Sequence, residues 1–377
     1  MNRPLSGIRV IEMAGIGPAP FCTMMLADMG AEIIRIDRHS DTFLGGAGTV
    51  IERGRRNIVL DLKQEDAKDI VKKLVATADI LIEGFRPGVM ERLGLGPDDC
   101  FVINPKLVYG RMTGWGQEGP LAKTAGHDIN YIAVSGALHA MGGSDSPPTP
   151  PLHLVGDMGG GAMMLAYGIV CALFESQHSQ QGQVVDAAIT SGTSLISSMY
   201  YALMQQGRWN LDRGANLLDG GAPFYGCYRC QDGKFIAIGA IEPQFYKLLL
   251  ELCGVANETI FQEQMNRDLW PAQKEAWTAL FQSKTQAQWC EMLEGTDACF
   301  SPVLDFDEAI NYDHHQARNS FQTIDGTSYP APGPILSRTP AKAGEVHPAG
   351  THTTEVLAEL GFSAAEIQLL QKQQITN

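Results

Sequence analysis

"VIEMAGIGPAPFCTMMLADMGAEIIRID" (Val10–Asp37) decides how the rest of the chain is read. The apolar run ending at Met13 is a buried strand. Ala19–Gly30 has helical spacing and a glycine stop, and Ala31–Asp37 is a second apolar run. Strand, helix and strand in this order predict a parallel pair joined by a crossover helix. The glycines fall as Gly15-x-Gly17, and Asp37 closes the second strand about 20 residues on, the spacing of a dinucleotide-binding turn. Pro20, however, stands where the third glycine belongs, and Pro18 intrudes. Each removes an amide that a pyrophosphate would use. A Rossmann-like topology is expected here, without NAD.

The pattern continues outward. Gln64–Ala78 is an amphipathic helix, "DILIEGF" (79–85) a strand, "PGVMERLGLG" (87–96) a short helix and "KLVYGRMTGWG" (106–116) a strand and loop. The apolar run Ala162–Phe174 is too short to span a bilayer and reads as a buried helix. From Gln183 to Gly207 a long helical stretch is expected, followed by a glycine-rich linker. "YRCQDGKFIAIG" (228–239) reads as a hairpin turning at "QDG", with a helix from Pro243 and further helices to about Leu293. "CFSPVLDFDEAINY" (299–312) reads as strand and helix, and "THTTEVLAELG" (351–361) as a final helix capped by threonine. The expected division is an α/β domain over 1–187, a linker over 188–225, a smaller α+β domain over 226–330, and a tail, 331–377, returning to the first domain.

Composition narrows the function. The 377 residues carry a net charge of −14, which disfavours a nucleic-acid or anionic-membrane partner. Positive charge is nevertheless concentrated: Arg35, Arg38, Arg53, Arg55 and Arg56 face only Asp37, Asp41 and Glu52, and Lys63, Arg86 and Arg92 follow. Arg38, Arg56, Arg86 and Arg92 flank strand ends, where open α/β sheets bind ligands and where a polyphosphate would reward local charge. Arg53 and Arg55 read as solvated charges. The eight cysteines form no framework, Cys227 and Cys230 lack a second pair, and no metal ligand set is found around His314 and His315. Reduced thiols and a cytoplasmic location are expected.

Three residues stand out for chemistry. Asp157, in "LVGDMGGG" (154–161), opens a helix; it is either an N-cap or a carboxylate whose three following glycines admit a ligand, with helix-start amides for an oxyanion. His127, in "AGHDINY" (125–131), lies in a small-residue loop, and Asp128 could orient it. Glu242, between an apolar strand and Pro243, is a first-turn acid or a carboxylate projected into a cleft.

Together "LSGIRVIEMAGIGPAPFCTMMLADMGAEIIRIDR", "LIEGFRPGVMERLGLGP", "RMTGWGQEGP", "AGHDINYIAVSG", "LVGDMGGG", "GQVVDAA" and "GAIEPQFY" resemble the α-methylacyl-CoA racemases of the family III CoA-transferase superfamily, in order and over nearly the whole chain. The resemblance implies an interlocked homodimer of large Rossmann-like and small domains. It implies His127 and Asp157 as acid/base residues, with Glu242 of the other chain beside the histidine. It implies acyl-CoA contacts at Arg38, Leu60, Asp61, Leu62, Lys63, Gly84, Phe85, Arg86, Arg92, Gly126, His127, Asp128, Ile129, Asn130 and Tyr131. CoA is then part of the substrate, and no metal or redox cofactor is called for. The chemistry agrees: moving a thioester α-proton from one face to the other needs a proton-transfer group on each side of an enolate. The alternative within the superfamily is CoA transfer, with Asp157 as nucleophile and no need for His127. A dinucleotide oxidoreductase and a non-catalytic acyl-CoA-binding protein are the readings from other classes.

Overall fold

The computed structural model describes residues 3–38, 49–324 and 326–377; Asp41, counted among the acids above, lies outside them. The chain divides into two compact units. The first comprises 1–137, 151–198 and 329–377, the second 138–150 and 199–328.

In the first unit, β1 (Arg9–Met13), α1 (Pro18–Asp28), β2 (Glu32–Asp37), β3 (Arg55–Val59), α2 (Glu65–Val75), β4 (Ile80–Glu83), α3 (Val89–Arg92), α4 (Pro97–Ile103), β5 (Val108–Thr113) and α5 (Asp128–Val134) follow in order. A helix over Leu154–Met163 wound with i to i+5 bonds then runs into α6 (Met164–Ser179), followed by β6 (Gln183–Ala188) and α7 (Ile189–Ile196). The six strands form one sheet in the order β3-β2-β1-β4-β5-β6, with every pairing parallel. Apolar residues on both faces hold the layers: Ile11, Ile34, Leu81 and Tyr109 pack on α2 and α4, while Val10, Ile33, Ile80 and Val108 pack on α1 and α6.

In the second unit, α8 (Ser198–Gln205), all but its first residue, precedes β7 (Tyr225–Arg229) and β8 (Phe235–Gly239), an antiparallel hairpin. Gly233, at φ +84°, makes the turn at "QDG". Then come α9 (Pro243–Leu252), α10 (Trp270–Phe281), α11 (Gln286–Leu293), β9 (Phe300–Val303), α12 (Phe306–Asn311) and α13 (Asp313–Ala317). β9 pairs with β8, and Trp270, Trp277, Phe281 and Trp289 fill the core. Two short strands, β10 (Phe321–Ile324) and β11 (Thr327–Pro330), form a sheet of their own; α14 (Thr353–Glu359) and α15 (Ala364–Lys372) belong to the first unit.

Several expectations are corrected. Gln183–Ala188 is the sixth strand and not helix. Its valines sit on a sheet edge beside β5, where backbone pairing outweighs any helical pattern. Arg53 and Arg55 are buried, not solvated: Arg53 grips Asp28 through two bonds, at 3.0 and 2.6 Å. Arg55 bonds Glu12 at 2.5 Å, together with the Pro20 carbonyl and Thr23. Arg35, also buried, pairs with Glu12, Asp37 and Glu52. Asp37 is therefore committed to Arg35 at 2.8 Å and is not the ribose-binding acid its spacing suggested. Arg56 is held by Glu32, Glu355 and Glu359 and so is no phosphate ligand.

α14 is preceded by His352 at its cap position, and the Thr353 hydroxyl is turned instead to the Val59 amide. α15, with its Ser363/Glu366 capping box, follows it. The apolar run 162–174 belongs to a 26-residue helical stretch, Leu154–Ser179, long and apolar enough by itself to cross a membrane. Leu165, Ile169 and Leu173 pack on the sheet, but Tyr167, Val170 and Phe174 are exposed, so only one face is core.

Candidate active site

The site grows from strand ends. In an open sheet of order 3-2-1-4-5-6 the crevice lies between β1 and β4, beyond the carboxyl ends of the strands. A cavity of about 380 Å³ lies there. It is lined by Ile16 and Gly17 after β1, Gly84, Phe85 and Arg86 after β4, and Met112, Thr113 and Trp115 from β5 and its loop. Gly126, His127, Tyr131 and Asp157 line it too.

His127 occupies the cap position of α5 and is exposed; its backbone amide is accepted by Asn130 Oδ1 at 3.0 Å. The loop before it is held rigidly. Tyr131 donates its hydroxyl to the Gly126 carbonyl, and its ring meets Trp115 edge-on at 4.8 Å. A side chain on Gly114 or Gly126 would collide with that ring. Tyr131 and Trp115 therefore fix the approach to His127.

Asp157 does not cap its helix. It is the fourth residue of the Leu154–Met163 winding, and the Met158 amide reaches back five residues to the His153 carbonyl at 3.1 Å. Its own amide is not free for an oxyanion, because it donates to Asp128 Oδ2 at 2.7 Å. Asp128, buried, thus ties the segment carrying Asp157 to the helix carrying His127 instead of orienting the imidazole. Gly156 permits this: a Cβ there would stand 2.3 Å from Asp128 Oδ2. The other glycines serve helix packing and not ligand approach, since Gly160 abuts Thr193 and Gly161 abuts Pro18 and Ile189. Gly17 is the one beside the carboxylate. At φ +71° it leaves Asp157 Oδ2 only 3.2 Å from where a Cβ would be.

Electrostatics make Asp157 unusual. Burial, then the Asp128 carboxylate, push its pKa up to about 6, against the opposing pull of His153 and His127. A carboxyl poised near neutrality can give and take a proton in turn. The Asp128 amide, at the start of α5 next to His127, donates to nothing among the described residues.

A second cavity of about 600 Å³ follows β2, β3 and β4. Arg38, Leu60, Asp61, Leu62, Lys63, Phe85, Val89 and Leu93 line it, so Phe85 borders both cavities. Arg38 lies over the Phe85 ring at 5.5 Å. The Lys63 backbone amide donates to Asp61 Oδ1 at 3.1 Å, but neither the Arg38 guanidinium nor the Lys63 ammonium has a carboxylate partner among the described residues. Arg92, Asp128, Ile129 and Asn130 line neither cavity. Glu242 lies at the cap position of α9, exposed, in the second unit. Ile16, Met112 and Trp115 were missed in the sequence, and Gly17 was read there only as part of a dinucleotide-like turn, although each sits at or just past the end of a strand that was recognised.

The family model described as CoA-transferase family III matches residues 5–353. The chain belongs to CoA-transferase family III. Within that family it is 47% identical over 376 residues to the alpha-methylacyl-CoA racemase of Mus musculus, covering 98% of this chain and 97% of the relative. The alpha-methylacyl-CoA racemase of Homo sapiens is 44% identical over 374 residues, again covering 98% and 97%. Among solved structures, a CAIB/BAIF family protein from Brucella suis superposes with a TM-score of 0.79 at 23% identity, over 96% of this chain and all of that one. The family III fold is thus common to chains of very different sequence.

Proposed function

We propose that this chain racemises 2-methylacyl-CoA thioesters at the α-carbon. Full-length identity of 47% to a racemase of that name carries the reading, and the chemistry of the two cavities supports it. The thioester lies in the smaller cavity, between His127 and Asp157. One group takes the α-proton, the planar enolate is held, and the other group returns a proton to the opposite face. The enolate oxygen is stabilised by the α5 start, where the Asp128 amide is available beside His127. Asp157, with its pKa near 6, serves either direction. CoA extends past Phe85, placing its phosphates by Arg38 and Lys63.

The homodimer belongs to the same reading. Met163, Tyr167, Val170 and Phe174 recur at helical spacing and are all exposed, an apolar stripe that a second copy would cover. Glu242 of that copy then pairs with His127 and sets its proton.

Chirally pure 2-methylacyl-CoA should be converted to an even mixture of epimers without any acceptor acid. Transfer of CoA to a free carboxylic acid, with hydroxylamine trapping Asp157 as its acyl derivative, would instead assign the chain to transfer chemistry.

A further inference from the structure

β3 is the edge strand of the large sheet, and its outer edge would expose unpaired amides and carbonyls. The segment from His352 onward covers it through a series of hydrogen bonds. The Asn57 amide donates to His352 Nδ1 at 3.1 Å, and the His352 amide returns a bond to the Asn57 carbonyl at 3.0 Å. Two residues on, the Val59 amide reaches Thr353 Oγ1 at 3.3 Å, and the Val59 carbonyl accepts from Thr376 Oγ1 at 2.7 Å. Two residues further, the Asp61 amide donates to the Ile375 carbonyl at 2.9 Å. The alternation 57, 59, 61 is that of a β-ladder, with helix ends and a tripeptide standing in for a seventh strand.

The ladder does not stop where the strand does. Its last rungs lie at Val59 and Asp61, and Leu60–Lys63 form a wall of the larger cavity. That wall is anchored at two points besides its own turn. The Leu60 amide donates to the Asp37 carbonyl at 3.1 Å, next to Arg38, and on the other side stand Ile375 and Thr376. Both of these are about 2% exposed. Asn377 locks them by accepting from Thr353 Oγ1 at 2.5 Å, while its carbonyl accepts from Gln371 Nε2 at 2.7 Å.

We propose that Thr376 is a positioning residue for the CoA moiety: through the Val59 carbonyl, with Ile375 on the Asp61 amide, it holds the Leu60–Lys63 wall in register with Arg38. This rests on the assignment of the larger cavity to the nucleotide end of CoA. Thr376 touches no substrate and lies far along the sheet from the switch point where His127 and Asp157 line their cavity. Its effect belongs in binding of the nucleotide end and not in proton transfer.

The test compares Thr376→Val, which keeps the shape and deletes the hydroxyl, with Thr376→Ser, which keeps the hydroxyl. Each is assayed for α-proton exchange with a 2-methylacyl-CoA and with the same acyl group on pantetheine, which lacks the nucleotide. Losing one buried hydrogen bond should raise KM for the CoA ester about fivefold, with kcat nearly unchanged. The pantetheine ester should show no change, and Thr376→Ser should restore the CoA KM. An unchanged CoA KM in Thr376→Val, or equal losses on both esters, would overturn the proposal. Titration of the wild type with CoA alone separates the two readings. No binding there would remove the CoA assignment itself, whereas binding that is equal in wild type and Thr376→Val removes only the role of Thr376.

Discussion

At the scale of single residues, the account turns on Asp157. Its folded-state pKa, about 6, lies above that of a free carboxyl, so the charged form at neutral pH is held against burial and against Asp128. That contribution is neutral below the unfolded carboxyl pKa and becomes a cost as the pH rises through 6. Asp157→Asn should therefore stabilise the fold by about 1–2 kcal/mol at pH 7.5, after allowing for solvent screening, while abolishing epimerisation. Urea midpoints should show the gain shrinking toward pH 4.5; a gain independent of pH would contradict the cause given. Proton abstraction by Asp157 should likewise fail below pH about 6, so the exchange rate of one enantiomer should fall with a limb there. Gly156→Ala pushes a methyl against Asp128 Oδ2 and should cost about 1–3 kcal/mol along with most activity. His127 and Asp157 were visible in the sequence because each sits in an unusual run of small residues. That Asp128 would serve the Asp157 amide was not visible, since the two are brought together only by the packing of α5 on the Leu154–Met163 helix.

At the scale of elements, β1, α1, β2, β4 and β5 were legible because apolar runs and glycine stops repeat at strand and helix lengths. β3 was not: "RRNIV" opens with two arginines, and nothing local says that Arg55 will be buried against Glu12 or that Arg56 will be tied to the α14 acids. Long-range charge pairing overrode the simple rule that charge faces water. The network offers a sharp prediction. Arg55→Ala leaves the buried Glu12 carboxylate short of one of its two guanidinium partners and should lower unfolding free energy by about 3–5 kcal/mol. Chemical denaturation would measure it, and a loss below about 1 kcal/mol would show that the network contributes little.

At the scale of the whole molecule, the parallel order β3-β2-β1-β4-β5-β6 puts the loops that line the 380 and 600 Å³ cavities at one end of the sheet, with the smaller cavity at the switch point and the larger, lined by Arg38 and Lys63, past β2 and β3. The proposed assembly rests on the exposed apolar stripe of Met163, Tyr167, Val170 and Phe174. Replacing Tyr167 and Phe174 together by Glu should shift the mass in sedimentation equilibrium from dimer to monomer and remove activity; an active monomer would contradict the proposed assembly. The central claim, two proton-transfer groups bracketing one carbon, is tested most directly by deuterium incorporation at Cα of each pure 2-methylacyl-CoA enantiomer in deuterated water, comparing wild type with His127→Ala and Asp157→Ala. The account predicts wash-in from both enantiomers in the wild type and no epimerisation in either variant, with CoA binding retained. Near-wild-type epimerisation in either variant would contradict it.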